Sequence, residues 1–485
     1  MKKTIVLYSR CDLVYLYGAL NRYLSDEFNI VHVAYSHIEE QILRNKYNIK
    51  NVINFKKKVF EIKDISIQPD ILNKLDEMFF LNTNGRFNLN GSMVSDRTFK
   101  MLNYDQALQI TQIYYLVWNE IFKSQKIHFF IHEPTSLMMN HIAFVLCKEY
   151  DCIYSTHIQS KGENQYDFLM LDNDDGHPTE LLYRYNEINS INVEEEKVRI
   201  QAYLVKFRSE YEVFFGEIGS KNRASIFDLK LILQCIKEII ISKRAKKLDP
   251  VKDNIDYFLA KDKPSLRKLK NLFRYRQFKY DEFSAEDNFY FYPLHLEPEA
   301  IVLYWADGIY SNQVKLIENI ASQLPYGSIL YVKDHPHLYG YRDVKDYITI
   351  QNIPNVKIIS PEIPGKSIIR FSLGVITLNG TAGFEALLLN KHVITFGNPF
   401  YKISSRVKYV KNIKDLASIL YSIQDIKYQD DYELYRFVLA YLKSLKEGFP
   451  ELYFGLMDKL PINKEEDILK ISEGLSLFFN EYDLL

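Results

Sequence analysis

The chain predicts an α/β fold with two parallel-sheet domains, a basic helical segment between them and helices at the C-terminus. Three observations carry this expectation. Short apolar runs alternate with runs of helical period over residues 1–215 and again over 286–425, as when parallel strands are joined through helices. Between these blocks, residues 221–280 hold 17 Lys and Arg against 6 Asp and Glu, in a chain whose formal net charge is −1. Residues 426–485 carry aromatic-rich runs of helical spacing.

At 485 residues the chain is long enough for two or three domains with sizeable cores. In the block 1–215, TIVLYS, NIVHVAYS and HFFIHE read as strands and residues 104–124 as a helix. The opening MKKTIVLYSRCDLVYLYGAL reads as a strand over residues 4–8, a loop and a helix. Arg10 and Asp12 interrupt the apolar run that a signal peptide would need. The polar stretches LNTNGRFNLNGS (81–92) and QSKGENQYD (159–167) read as loops. In the segment 216–285, IFDLKLILQCIKEIIISKRAKK (226–247) has apolar residues at helical spacing, and LRKLKNLFRYRQFKY (266–280) interleaves bases with Leu, Phe and Tyr. Two readings stand there: a solvated helical face, or a peripheral surface for anionic lipid or a polyanionic glycan. In the block 286–425, FYFYPL, AIVLYW, SILYVK, VKIIS, LGVITL and HVITFG are strand candidates and SNQVKLIENIASQL (311–324) is a helix. The runs YELYRFVLAYLKSL and EEDILKISEGLSLFF are expected to be helices packing across both domains.

Composition excludes several classes of function. The near-neutral charge and the lack of a recognised motif argue against nucleic acid as a partner. Cys11, Cys147, Cys152 and Cys235 show no CxxC spacing, so neither a zinc site nor a disulfide framework is indicated, and reduced thiols are expected. No segment has the roughly 18 uninterrupted apolar residues of a membrane span. The expected location is the cytoplasm, with peripheral attachment at the inner face of the plasma membrane through 221–280.

The most informative stretch begins with ILYVKDHPH (329–337) and continues with ITLNGTAGFEALLLNKHVITFG (376–397). The second run reads as strand, glycine-rich turn, helix and strand. Its turn, Asn379, Gly380, Thr381, Ala382 and Gly383, leaves backbone N–H groups at a helix N-terminus, where small residues and the helix dipole suit a phosphate. Lys333 and His335 end the preceding strand and are placed to reach the same anion. Glu133 and Glu299 are candidate catalytic carboxylates; the alternatives are a helix cap for Glu133 and a loop-holding role for Glu299. Asp307 follows AIVLYW and either lines the cleft or forms a turn. His295 either meets the donor sugar or is a satisfied loop histidine. Asp174 and Asp175 lie in a loop without ligand partners, so no metal and no cofactor is expected.

FYPLHLEPEA (291–300), LPYGSILYVKDHPHLYGYR (324–342) and TLNGTAGFEALLLNKHVITFGNPFY (377–401) resemble the bacterial capsule polysaccharide biosynthesis proteins, which include retaining β-Kdo transferases that use CMP-Kdo. The resemblance implies a GT-B-like fold, two Rossmann-like domains facing a cleft, with the acceptor on the N-terminal side and the nucleotide sugar on the C-terminal side. It implies that His335 and Pro336 form the element contacting the nucleotide phosphate, and that Glu385 accepts from ribose hydroxyls, the alternative for Glu385 being a plain surface glutamate. Glu297, Pro298 and Glu299 stand where many relatives carry Gln-Pro-Glu, so Glu297 adds a carboxylate that disfavours an anionic sugar such as Kdo. The acidic Glu-Asp-Gly element of better-known relatives has no clean equivalent; His132-Glu133-Pro134 is nearest. The implied function is a metal-independent, retaining glycosyltransferase building capsule or another surface polysaccharide. Its donor is a nucleotide-activated sugar, CMP-Kdo or a related CMP-sugar, and its acceptor a glycan or glycolipid. Two alternatives remain open: a CDP-alcohol phosphotransferase of the teichoic-acid type, and a non-catalytic glycan- or nucleotide-sugar-binding subunit. Of the two carboxylates, Glu133, away from the basic loop, is expected to titrate high and act as acid/base. Glu299 is expected to be the ionised partner.

Overall fold

The computed structural model describes residues 2–99, 102–164, 166–172, 177–209, 229–245, 263–275, 277–297, 301–306, 308–335, 340–453 and 463–484. Asp174, Asp175, Glu299, Asp307 and Pro336 lie outside them, as does most of 221–262. The chain forms two compact units. The first comprises Met1–Asn192 and Val438–Leu485; the second comprises Val193–Leu248 and Asp256–Phe437.

The first unit is built on β1 (Thr4–Ser9), β2 (Asn29–Ala34), β3 (Val52–Asn54), β4 (Phe129–Ile131), β5 (Ile153–Ser160) and β6 (Asp167–Asp172). The two-residue β13 (Lys446–Glu447) joins them. Across the sheet the order is β13-β6-β5-β4-β1-β2-β3. β1 pairs in parallel with β2 and β4, and β2 with β3 and β4 with β5, while β6 runs antiparallel to β5 and β13 antiparallel to β6. Alternation along β1 sorts its side chains onto two cores. Val6 and Tyr8 pack with Phe55, Trp118 and Phe130, whereas Ile5 and Leu7 pack with Tyr17, Phe129, Phe478 and Phe479. The C-terminal helix Lys464–Glu481 thus covers one face of this sheet.

The second unit is built on β7 (Phe289–Pro293), β8 (Ile329–Lys333), β9 (Val356–Ile359), β10 (Gly374–Thr377), β11 (His392–Thr395) and β12 (Val407–Tyr409). All neighbours are parallel, in the order β12-β11-β10-β7-β8-β9. This is the doubly wound order of a Rossmann-type sheet. Its strands are near-continuous apolar runs because both faces are covered. Two parallel-rich sheets of this kind give the chain the GT-B-like α/β class expected from its sequence.

Several elements differ from expectation. AIVLYW is not a strand: Ile301–Trp305 forms a wide helical turn. β7 already has β8 and β10 on its two sides, so no sheet edge is left for it there. Val302, Leu303, Tyr304 and Trp305 are all buried, and an apolar run buried on every side reads the same whether strand or helix. The premise that Asp307 follows a strand end is withdrawn with it. The stretch 81–92 is only partly loop, since a helix, Leu89–Ser95, begins inside it with Asn88 as its cap. Among the described residues no helix is long and apolar enough to cross a membrane.

In the basic segment, helices Leu229–Ala245 and Pro264–Tyr275 pack through Leu231, Leu269 and Leu272. The Glu238 carboxylate accepts from the backbone N–H of Ser265 (3.0 Å), placing a negative charge at the N-terminus of the second helix. That helix is anchored at its other end: Asn271 Nδ2 donates to the carbonyls of Gly340 and Arg342, and the Tyr275 hydroxyl donates to Arg342 O (3.0 Å).

Candidate functional site

In both sheets the chain winds outward in one direction and then crosses back, so each has a switch point beside its first strand. Ligands of open α/β sheets bind at the carboxyl ends of the strands at that point. In the second unit it lies between β7 and β10, and the segments leaving these strands carry His295 and Asn379–Gly383.

The turn after β10 enters the helix Thr381–Leu388, whose N-cap is Gly380 and which no side chain caps. The first N–H groups of a helix lack intrahelical partners, so this end is a ready anion receiver. Thr381 is exposed and Ala382 half-buried, so the backbone there is reachable. Asn379 is only 7% exposed, yet neither its Oδ1 nor its Nδ2 has a hydrogen-bond partner among the described residues. A buried amide left unpartnered costs about 1–3 kcal/mol, and a ligand at the helix end would relieve that.

The glycines of this turn serve close approach. A Cβ on Gly380 would lie 2.9 Å from His295 Cε1. A Cβ on Gly383 would run into the Tyr401 hydroxyl, which itself donates to Gly380 O at 2.6 Å. Gly383 is therefore small for the sake of Tyr401, and the expectation that it clears space for the anion is corrected.

His295 is buried, and burial, with the nearby positive charges of His335 and Arg342, pushes its pKa down to about 3, so the imidazole is neutral. Its Nε2 accepts from the Leu378 N–H (3.3 Å), and Thr377 Oγ1 lies 3.1 Å away. This pattern places the remaining proton on Nδ1, the ring edge toward Gly380. His295 is thus a satisfied loop histidine that also shapes the turn.

Lys333 closes β8 and is 5% exposed; alternation puts it on the face of Tyr331, opposite Leu330 and Val332. His335 follows at half burial, its N–H donating to Asp334 Oδ1 (2.8 Å). The end of β8 lies beside the segment leaving β7, since Pro293 pairs with Lys333 and the Leu294 N–H donates to Lys333 O at 2.9 Å. Glu385 sits half-buried one turn into the helix.

Beneath this loop lies a charged network that the sequence did not reveal. Arg342 is buried and bonds Asp334 Oδ2 (3.0 Å), Glu297 Oε2 (3.3 Å) and the His295 carbonyl (2.9 Å). Gln313 donates to Glu297 and to His295 O (3.1 Å) and accepts from the His295 N–H (2.8 Å). Tyr347 donates to Asp334. Burial opposes the charge on Arg342, but Asp334 and Glu297 hold its pKa above the ordinary value. Arg342 is shared between Asp334 and Glu297, so this cluster of one guanidinium and two carboxylates keeps a net negative charge at Glu297's loop.

In the first unit the switch point lies between β1 and β4, and Arg10 and Glu133 leave these two strands. Arg10 Nη2 donates to Glu133 Oε1, which also accepts from Ser136 Oγ at 3.1 Å. Burial, the largest single influence, would raise the Glu133 pKa, but the Arg10 charge, together with His132 and the hydrogen bonds from Arg10 and Ser136, outweighs it, and the carboxyl sits below its usual range. The expectation of a high-titrating acid/base at Glu133 is corrected: Arg10 holds it ionised. Nor does it cap the following helix, whose first N–H, on Met138, donates to Asp96 (2.5 Å). His132, its pKa pushed down to about 4 by burial, donates through Nδ1 to Tyr8 O (2.8 Å). Its bare Nε2 lies 3.7 Å from Glu133 Oε1. Among the described residues, the buried Tyr17 leaves its hydroxyl and the half-buried His157 its Nε2 unpartnered.

Residues 233–405, which include the described site residues of the second unit, match the family described as capsule polysaccharide biosynthesis protein. The family resemblance drawn from the sequence is borne out over this stretch. No curated protein matches the chain in sequence. Among solved structures, it is similar to Thermosulfurimonas dismutans KpsC, beta Kdo 2,4 transferase, at 16% identity and TM-score 0.31, over 71% of this chain and 87% of that one. The beta Kdo 2,7 transferase of the same protein gives 14% identity and TM-score 0.33, over 74% and 89%. The UDP-GlcNAc 2-epimerase of Neisseria meningitidis, bound to UDP-GlcNAc, gives 12% identity and TM-score 0.27, over 96% and 100%.

Proposed function

We propose that this chain is a glycosyltransferase that draws on a nucleotide-activated sugar, CMP-Kdo or a related CMP-sugar, to extend capsule or another surface polysaccharide. The observation that carries the reading is the uncapped helix end after β10, with the buried, unpartnered Asn379 beside it. It lies within the stretch that matches the capsule family. In this reading the donor phosphate rests on the N–H groups of Thr381 and Ala382, with the Asn379 amide and His335 as further donors. Lys333 adds positive charge and Glu385 receives ribose hydroxyls. Such preorganised donors stabilise the charge that grows on the leaving phosphate, without requiring a metal.

Glu133, kept ionised by Arg10, suits the nucleophile of a retaining double displacement. Its oxygen forms a bond to the anomeric carbon as the bond to the phosphate oxygen breaks. An acceptor hydroxyl then displaces the carboxylate and loses its proton to a base. Glu299 and Asp307 remain proposals for that base.

The test is a thermal-shift screen against CMP, CDP, UDP and GDP, followed by nucleotide release from CMP-Kdo with a glycan acceptor. Stabilisation by CMP with acceptor-dependent release supports the reading. Turnover of a CDP-alcohol would replace it with phosphotransfer, and ligand retention without any release would replace it with a binding subunit.

A further inference from the structure

The helix Leu229–Ala245 presents two different faces. Leu231, Cys235 and Ser242 are buried, on the side that meets Leu269 and Leu272 of the helix Pro264–Tyr275. On the side turned away, Leu229 (69% exposed), Leu233 (57%), Ile236 (49%) and Ile240 (48%) form a stripe at three- and four-residue spacing, widened by Ile232 and Ile239. Lys230, Lys237 and Lys243 are exposed on the same helix, and Arg267, Lys270, Arg274 and Phe273 on the next. An outward apolar stripe bordered by bases is the pattern of a helix lying in a membrane interface.

We infer that this helix docks the protein on an anionic bilayer, laying Leu229, Leu233, Ile236 and Ile240 among the acyl chains while its lysines meet lipid phosphates. Charge decides the occupant. A second copy of the chain would bring Lys230, Lys237 and Lys243 against their own equivalents, and an uncharged partner would leave the 17-to-6 excess of bases over 221–280 unanswered. An anionic surface answers both the apolar stripe and the charge. The sequence pointed only to electrostatic attachment; the exposed stripe adds insertion. Because the helix Pro264–Tyr275 holds the Arg342 carbonyl, the docking face is built onto the same framework that shapes the donor loop.

The experiment is co-sedimentation of the full chain with phosphatidylcholine vesicles, with and without phosphatidylglycerol, at low and high salt. The native chain should bind only the anionic vesicles, and less at high salt. The double variant Ile236→Ser/Ile240→Ser should lose about tenfold or more in partitioning even at low salt. Lys237→Gln/Lys243→Gln should weaken binding at low salt and flatten its salt dependence. CMP binding should be unaltered in both variants, which separates this inference from the donor site. Three results would each overturn it: no binding to anionic vesicles, equal binding by Ile236→Ser/Ile240→Ser, or a solution dimer that this variant dissociates.

Discussion

The two switch points share a topology and differ in chemistry. In the second unit the strand ends open onto an uncapped helix, a neutral His295 and an amide without a partner. In the first they open onto an ion pair, Arg10 with Glu133, beside a neutral His132. One is built to receive negative charge and the other to hold it. The same winding of the chain places a crevice at the same point of each sheet, and the loop residues decide what enters.

The largest expected effect comes from removing the network under the receiving loop. Arg342→Leu leaves Asp334 and Glu297 as unpaired carboxylates, a loss of about 3–5 kcal/mol for a broken buried pair. Urea unfolding should show it as a lower midpoint, with CMP binding impaired as His295 loses its support. A midpoint near native would mean that the network does not hold the loop.

Glu133→Gln tests the other side. Turnover should fall by about 10²-fold or more with nucleotide affinity nearly intact, since the residue belongs to the other unit. Near-normal turnover would remove Glu133 from the mechanism and turn attention to Glu299 and Asp307. Gly383→Val should cost about 1–3 kcal/mol through its collision with Tyr401, read as a fall in Tm.

How legible this was depended on the kind of residue. The apolar strands and the helix Tyr104–Ser124 could be read because period and length set them, and the Asn379–Gly383 turn because small residues before a helix leave their mark locally. Arg342 could not be read: a buried arginine is recognisable only from partners distant in sequence, here Glu297 and Asp334. The charge state of Glu133 was hidden likewise, because Arg10 comes from a strand 123 residues away. AIVLYW misled because complete burial erases periodicity.

A smaller effect concerns pH. With Arg10 present, Glu133 titrates below the ordinary 4.5, so the stabilisation from the pair is present above that value and lost as pH falls through the lowered one. In Arg10→Gln the main influence opposing burial is gone and the Glu133 pKa rises. The acid limb of kcat/KM should therefore move to higher pH. An unmoved limb would show that Glu133 ionisation does not govern the rate.

The central claim is that the second unit's turn receives the nucleotide phosphate, and titration calorimetry of CMP against three proteins tests it most directly. His335→Ala and Asn379→Ala should each weaken binding roughly tenfold, about 1.4 kcal/mol, while Glu133→Gln binds as the native chain does. Native affinity in folded His335→Ala and Asn379→Ala, or loss of affinity only in Glu133→Gln, would contradict the account.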